Sequence, residues 1–232
     1  MRLAAKFSAP GFERTLNDLP QPLSLDTLLP GDGDWHAEIG FGKGRYLLES
    51  AIAHPERRFL GIEVVSKYFR MLQRRAARHG VRNLLLVRGE ALYLLATVLP
   101  TAFAAALHVY FPDPWPKARH HRRRLFDPET LDLVLGLLRP DGELFFATDF
   151  LDYGERVSEI LQTYPGLTVT PHPEPWPDGA RTNYEAKYIV EGRPILRLQA
   201  RLDQQPAAGR LHPAGRHGIV AAPTSRRQSD PD

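Results

Sequence analysis

A chain of 232 residues with 43% hydrophobic and 25% charged residues has the size and composition of one globular domain with a substantial core. It contains no cysteine, which excludes a disulfide framework, thiolate zinc and iron–sulfur sites and a cysteine nucleophile, and suits the cytoplasm. The formal net charge is only +3, yet Asp113 to Arg124 carries Lys117, Arg119, Arg122, Arg123 and Arg124 against one acid, with Trp115, His120 and His121 among them. Such a local surplus points to a polyanion partner.

In chain order, the apolar run at Leu3–Ala5 is too short for a secretory signal, so export is not expected. Residues 1–33 are interrupted by Pro10, Pro20, Pro22 and Pro30 and read as a loosely ordered segment. From Asp34, short apolar runs alternate with amphipathic ones, the pattern of an α/β fold with a mostly parallel sheet and helices on both faces. The expected strands are His36–Ile39, Phe59–Ile62, Leu84–Val87, Phe103–Phe111 and Glu143–Thr148. The expected helices are Arg45–Ala53, Lys67–His79, Ala91–Leu99, Pro128–Leu138 and Tyr153–Tyr164, with Ser66 capping the second and Gly80 ending it. Ala91 to Phe111 is uncharged over 21 residues, but Pro100 and Thr101 divide it into a helix and a strand, so no membrane span is expected. Lys187–Glu191 and Ile195–Arg201 around Gly192–Pro194 read as an antiparallel hairpin at the C-terminal sheet edge. Residues 203–232 lack aromatics and read as a disordered tail.

The first expected strand runs into Glu38-Ile39-Gly40-Phe41-Gly42-Lys43-Gly44, so glycines at alternate positions join a strand to a helix. Glycine permits positive φ and close approach of a ligand to the backbone. Arg45 stands where the dinucleotide fingerprint needs its third glycine, which disfavours nicotinamide and flavin dinucleotides. Acids follow three successive strands: Glu38, Glu63 and Glu90. At the carboxyl ends of parallel strands they face the ligand crevice, where Glu63 can accept from ribose hydroxyls and Glu90 from an adenine amino group. A ligand with a ribose, an adenine and a cationic end but no phosphate has the inventory of S-adenosylmethionine.

The fourth strand leaves through Phe111-Pro112-Asp113-Pro114-Trp115-Pro116-Lys117-Ala118-Arg119-His120, a proline-stiffened exit that holds Asp113 at the same end of the sheet. This string, together with Glu38–Gly44, Gly61-Ile62-Glu63 and Thr182-Asn183-Tyr184-Glu185-Ala186-Lys187, resembles the bacterial tRNA (guanine-N7-)-methyltransferase family over roughly Asp34 to Glu191. The resemblance implies a Rossmann-like S-adenosylmethionine-dependent methyltransferase domain at 34–202. It implies transfer of a methyl group to N7 of a guanosine in the tRNA variable loop, position 46. By the resemblance, the cofactor contacts fall on Glu38, Glu63, Glu90 and Asp113, with Asp113 also catalytic, and the loop glycines Gly40, Gly42 and Gly44 join them on their own chemistry. By the resemblance, the tRNA contacts fall on Lys117, Asp149, Thr182, Asn183, Tyr184 and Glu185, and by their chemistry Trp115 and Arg119 join these as a stacking ring and a phosphate contact. Glu90 is one methylene longer than the Asp expected at its position.

Guanine N7 has an in-plane lone pair and no proton, so the reaction asks for alignment more than for a base. Asp113 can read guanine N1–H and the 2-amino group or offset charge growing on the base, and Trp115 can stack on that base. Two other readings use the same residues. One is an exocyclic-amine methyltransferase, whose motif would place two prolines between the carboxylate and the aromatic. The other is an inactive cofactor-binding subunit, which the set of acids disfavours. No metal site and no obligatory protein partner are expected.

Overall fold

A computed structural model of the chain describes residues 5–19, 23–117, 119–120, 124–172 and 174–203. The chain opens with an antiparallel pair, β1 (Lys6–Ala9) and β2 (Phe12–Thr15), followed by the single turn α1 (Leu25–Leu28). The alternating core follows: β3 (Trp35–Ile39), α2 (Arg45–Ala53), β4 (Arg58–Glu63), α3 (Ser66–Arg78), β5 (Leu84–Arg88), α4 (Ala91–Thr97) and β6 (Ala104–Tyr110). It continues with α5 (Leu131–Leu135), β7 (Leu138–Thr148), α6 (Leu151–Gln162), β8 (Leu167–Pro171), α7 (Asn183–Val190) and β9 (Leu196–Leu202).

These strands make one nine-stranded sheet in the order β2-β1-β5-β4-β3-β6-β7-β9-β8. The five central strands are parallel, and β1, β9 and β8 add on antiparallel to either side. Central strands of this kind are covered on both faces, which explains why Leu84 to Val87 is an unbroken apolar run, buried throughout. One face packs under α4, α5 and α6 with Ala37, Ile39 and Val109; the other packs under α2 and α3 with Phe59, Leu72 and Leu86. The first connection runs from β3 to β4 on one side while β6 flanks β3 on the other, so the topological switch point lies between β3 and β6.

The parallel core and the C-terminal antiparallel strands agree with the sequence reading, but four local expectations are corrected. Residues 6–15 form a hairpin at the sheet edge, turning at Pro10-Gly11 with Gly11 at φ 87°. Phe7, fully buried opposite Val87, anchors it, so one hydrophobic residue outweighs the scattered prolines nearby. Ser66 is the first residue of α3 rather than its cap, a position taken by Val65. The expected helix Pro128–Leu138 shrinks to five residues because Leu138 starts β7. Residues 187–190 are helical and Glu191 is the helix C-cap: the antiparallel partner of β9 is β8, and α7 lies between them in sequence. That helix starts at Thr182, whose side chain accepts from Glu185 N–H at 2.9 Å. It ends at Gly192, φ 66°, in a Schellman turn with Gly192 N–H to Ile189 O and Arg193 N–H to Tyr188 O. The expected tail beyond Asp203 lies outside the described residues.

Candidate active site

The glycine loop wraps the carboxyl end of β3. Gly40, Gly42 and Gly44 all have positive φ (75°, 51° and 66°), as their spacing suggested, but they serve different ends. Gly40 and Gly42 have open space where a Cβ would be, leaving a bare backbone surface. A Cβ at Gly44 would run into Leu72, which is fully buried and has nowhere to turn, so this glycine lets α2 pack on α3.

Glu38 and Glu63 stand at the ends of neighbouring strands and are almost fully buried, at 2% and 6% exposure. One Glu63 oxygen accepts from Gly42 N–H at 2.9 Å and the other from Val65 N–H at 2.8 Å, so the acid ties loop to strand and leaves lone pairs for further donors. Glu38 accepts from the Leu47 N–H in the first turn of α2, but its Oε2 is buried without a partner. Burial first, and then the neighbouring Glu63 charge, push the Glu38 carboxyl up to about 8. A buried acid with one orphaned oxygen beside a second acid is the environment that a cationic ligand relieves, which fits a sulfonium or ammonium group. Glu90, expected at the adenine end of the ligand, caps α4, accepting from Leu92 and Tyr93 N–H at 3.1 and 2.7 Å.

Across the switch point, β6 leaves the sheet through two residues in the left-handed region, Phe111 (φ 51°) and Trp115 (φ 42°). Non-glycine residues there are strained, and such strain collects where backbone is held for a purpose. It leaves Asp113 exposed at the carboxyl end, with Trp115 half-buried and edge-on to His120 at 5.8 Å. Lys117 and Arg119 are exposed, and Arg119 Nε donates to His120. Arg124 donates to Pro114 O at 2.8 Å and stacks on Tyr153, so this member of the basic run braces the loop. His121, Arg122 and Arg123 lie outside the described residues.

The start of α7 closes the site's far wall, with Phe111 packed against Tyr184 and Tyr188. Asn183 and Tyr184 are exposed. Thr182 is used as the helix cap. Glu185, expected at the pocket rim, is instead wholly buried, accepting from Arg197 Nε at 2.7 Å and Arg181 N–H at 2.8 Å. Its position is that of a strut behind the rim. Asp149 faces Arg193 at 3.9 Å.

A buried polar chain joins the two walls. Arg181 Nη1 donates to the Tyr110 hydroxyl (2.7 Å), which contacts His108 Nδ1 (2.8 Å), and His108 Nε2 contacts the Tyr46 hydroxyl (2.6 Å). Burial holds His108 well below its ordinary pKa and hence neutral. His108 therefore bridges two tyrosine hydroxyls, one of which, Tyr110, also accepts from Arg181. The Arg181 guanidinium also lies over Phe145 and Trp176. None of Tyr46, His108, Tyr110, Arg181 and Arg197 was singled out from sequence as a site residue. The one visible signal was His108 in an otherwise apolar strand.

An open sheet with a parallel centre, a glycine loop, buried acids at the ends of two neighbouring strands and an exposed carboxylate after the strand across the switch point is a methyltransferase fold of the S-adenosylmethionine-dependent kind. Solved structures agree on the fold. The 16S rRNA methyltransferase KamB matches with a TM-score of 0.62 at 15% identity, covering 86% of this chain and 100% of that one. A 16S rRNA (adenine(1408)-N(1))-methyltransferase variant from Catenulisporales acidiphilia, crystallised with its cosubstrate, matches with a TM-score of 0.59 at 19% identity over 88% and 99% of the two chains. A family model described as "Putative methyltransferase" matches residues 32–198. Relatives named tRNA (guanine-N(7)-)-methyltransferase include one from Nitrosococcus oceani, 35% identical over 77% of this chain and 75% of its own length. Another, from Alkalilimnicola ehrlichii, is 36% identical over 80% of both. The chain belongs to the tRNA (guanine-N7-)-methyltransferase family.

Proposed function

We propose that the protein transfers a methyl group from S-adenosylmethionine to N7 of a guanosine in tRNA, at position 46 of the variable loop, and does so in the cytoplasm. The observation that carries this reading is the Phe111–His120 string in a chain of this family, following β6, the strand that pairs with β3 and its Glu38. S-adenosylmethionine supplies the electrophilic methyl on a sulfonium. The unpartnered Glu38 oxygen is the counter-charge for its cationic end, and Glu63 is assigned to the ribose hydroxyls. Glu90 is assigned to the adenine amino group through its free lone pairs. The bare backbone at Gly40 and Gly42 lets the ligand lie close.

Guanine N7 carries no proton, so no residue needs to act as a strong base. Asp113 accepts from guanine N1–H and the 2-amino group, an arrangement that adenine, with an unprotonated N1, does not satisfy. Trp115 and Tyr184 offer rings to the extruded base, and Lys117 and Arg119 hold phosphate. Asn183 and Asp149 supply polar contacts at the rim, while Thr182 and Glu185 fix the angle of α7.

Reaction with an unmodified tRNA transcript, followed by borohydride and aniline treatment, tests the reading. Strand scission at guanosine 46 is expected, because a methyl on N7 leaves a cationic, labile imidazolium ring. Methyl incorporation without scission would mean an exocyclic amine is the acceptor, and scission elsewhere would move the target. Replacing that guanosine by 7-deazaguanosine should abolish incorporation and leave binding within about threefold of normal, roughly 0.7 kcal/mol.

A further inference from the structure

Helix α3 differs from the other long helices in its charge. Among the described residues, each of the other helices of eight or more residues carries an ion pair one turn apart: Arg45–Glu49 in α2, Arg156–Glu159 in α6 and Lys187 of α7 with its C-cap Glu191. At 13 residues α3 is the longest, and it contains no acid. Lys67, Arg70, Arg74 and Arg78 are exposed at steps of three, four and four residues, which puts them in one stripe along the helix. Among the described residues none of the four is within ion-pair distance of an acid; Glu13, which feels the charge of Arg70, is already bonded to Lys6 and Gln73. Like charges one turn apart destabilise a helix by a few tenths of a kcal/mol per pair, so an acid-free row of four runs against the helix's own stability.

The stripe starts four residues after Glu63 and runs away from the site for roughly 16 Å at about 1.5 Å per residue. Arg75 Nη1 bonds the Lys43 carbonyl at 2.7 Å, so the helix is pinned to the glycine loop and the row is held in fixed register with the active site. Because α3 links β4 to β5 while Asp113 to Lys117 follow β6, the stripe and that exit lie on opposite sides of the switch point.

We propose that Lys67, Arg70, Arg74 and Arg78 form a second tRNA-binding surface, contacting backbone phosphates of the tRNA body while Asp113 and the proline segment engage the target base. This rests on the proposed tRNA substrate. The surface carries no base recognition; it sets the orientation in which the folded tRNA presents its variable loop. A short hairpin carrying only the target loop lacks the tRNA body that the stripe would contact.

The test compares the parent with the quadruple variant K67Q/R70Q/R74Q/R78Q and a charge-preserving variant, R70K/R74K/R78K, in the full chain. Affinity for a full-length tRNA transcript and for a short variable-arm hairpin is measured against salt concentration. Each lost phosphate contact should lower the slope of log K against log salt by about 0.7–0.9, so the quadruple variant should lose about three. It should bind tRNA at least about tenfold more weakly at low salt and raise KM with kcat nearly unchanged. Hairpin binding should stay at parent level, and the lysine variant should keep the parent slope, which separates charge from misfolding. An unchanged slope for the quadruple variant overturns the proposal, as does equal weakening on the hairpin. Retained tRNA binding with lost binding to phosphatidylserine vesicles would assign the stripe to a membrane surface and also overturn it. A parent that binds tRNA with this salt dependence but never methylates it would sink the proposed function and leave the stripe standing.

Discussion

The two walls of the active site are built on opposite principles. The wall proposed for the donor is made of buried parts: Glu38 and Glu63 at the ends of central strands, the Gly42 amide bonded to Glu63, and Gly44 pressed against Leu72. The acceptor wall is open, with Asp113 exposed and the backbone on either side of it strained at Phe111 and Trp115. A small ligand that always has the same shape can be met by a dry, fixed socket. A base that must be drawn out of a folded RNA needs a mouth that admits it, with rigidity supplied by prolines in place of burial. The difference teaches where a substitution will be read: in stability and cofactor affinity on one wall, in turnover on the other.

The largest effect is expected at the acceptor wall. Asp113→Asn should lower kcat by about 10²–10³-fold, the scale of losing one electrostatic contact made in the transition state. Donor affinity by calorimetry and melting temperature should stay at parent values, since the exposed carboxylate supports no fold contact. Parallel loss of donor binding would place Asp113 on the donor wall and erase the contrast. Next, Gly44→Ala should cost about 3 kcal/mol of folding stability, because the added methyl meets fully buried Leu72 at a positive φ. Denaturant unfolding checks this, and a midpoint equal to the parent's would show that the socket is softer than its packing implies.

What could be read from the sequence was what repeats locally. Strand, glycine loop, helix and acid recur over short stretches, so Glu38, Gly44 and Glu63 could be placed before any coordinates. The N-terminal hairpin could not, since its evidence is a Pro10-Gly11 turn and a single phenylalanine among prolines. In α7, the alternation of Lys187 to Glu191 suggested a strand and drew attention from Thr182-x-x-Glu185, a helix-start signature a few residues earlier. Glu185 itself bonds Arg197, and Arg181 bonds Tyr110 some 71 positions away, pairings that no local pattern encodes. The α3 stripe was visible all along; a net charge of +3 and the denser run at Arg122–Arg124 concealed it.

The polar chain between the walls offers an intermediate effect. Tyr110→Phe removes the hydroxyl that bonds His108 Nδ1 and accepts from Arg181, leaving both without that partner in a buried setting. A loss of about 2 kcal/mol in stability is expected, in the range for orphaning buried polar groups. Because Arg181 also holds Glu185 through its backbone, KM for tRNA should rise while donor affinity stays near the parent's. A rise in donor Kd with KM for tRNA unchanged would mean that the chain serves the donor wall alone.

The smallest effect expected is a gain, and it tests the donor wall's cost directly. The Glu38 carboxyl titrates near 4.5 in an unfolded chain and at about 8 in the folded protein. Between those values the unfolded chain has released the proton and the folded one has kept it, so stability falls as pH rises from about 4.5 to 8 and levels off above. Glu38→Gln removes this dependence and keeps the oxygen that accepts from Leu47 N–H. Its amide leaves an unpaired donor where Oε2 was, which offsets part of the gain. The variant should therefore be more stable than the parent at pH 8 by about 1–2 kcal/mol, with the advantage shrinking toward pH 4.5. Donor binding should move the other way: a cation favours the ionised acid, so parent affinity should climb with pH up to about 8 and the variant's should be weaker and flat. Unfolding curves and donor titrations at pH 5, 6, 7 and 8 read both trends, and a variant whose stability tracks the parent at every pH would show that Glu38 is not held neutral in the empty socket.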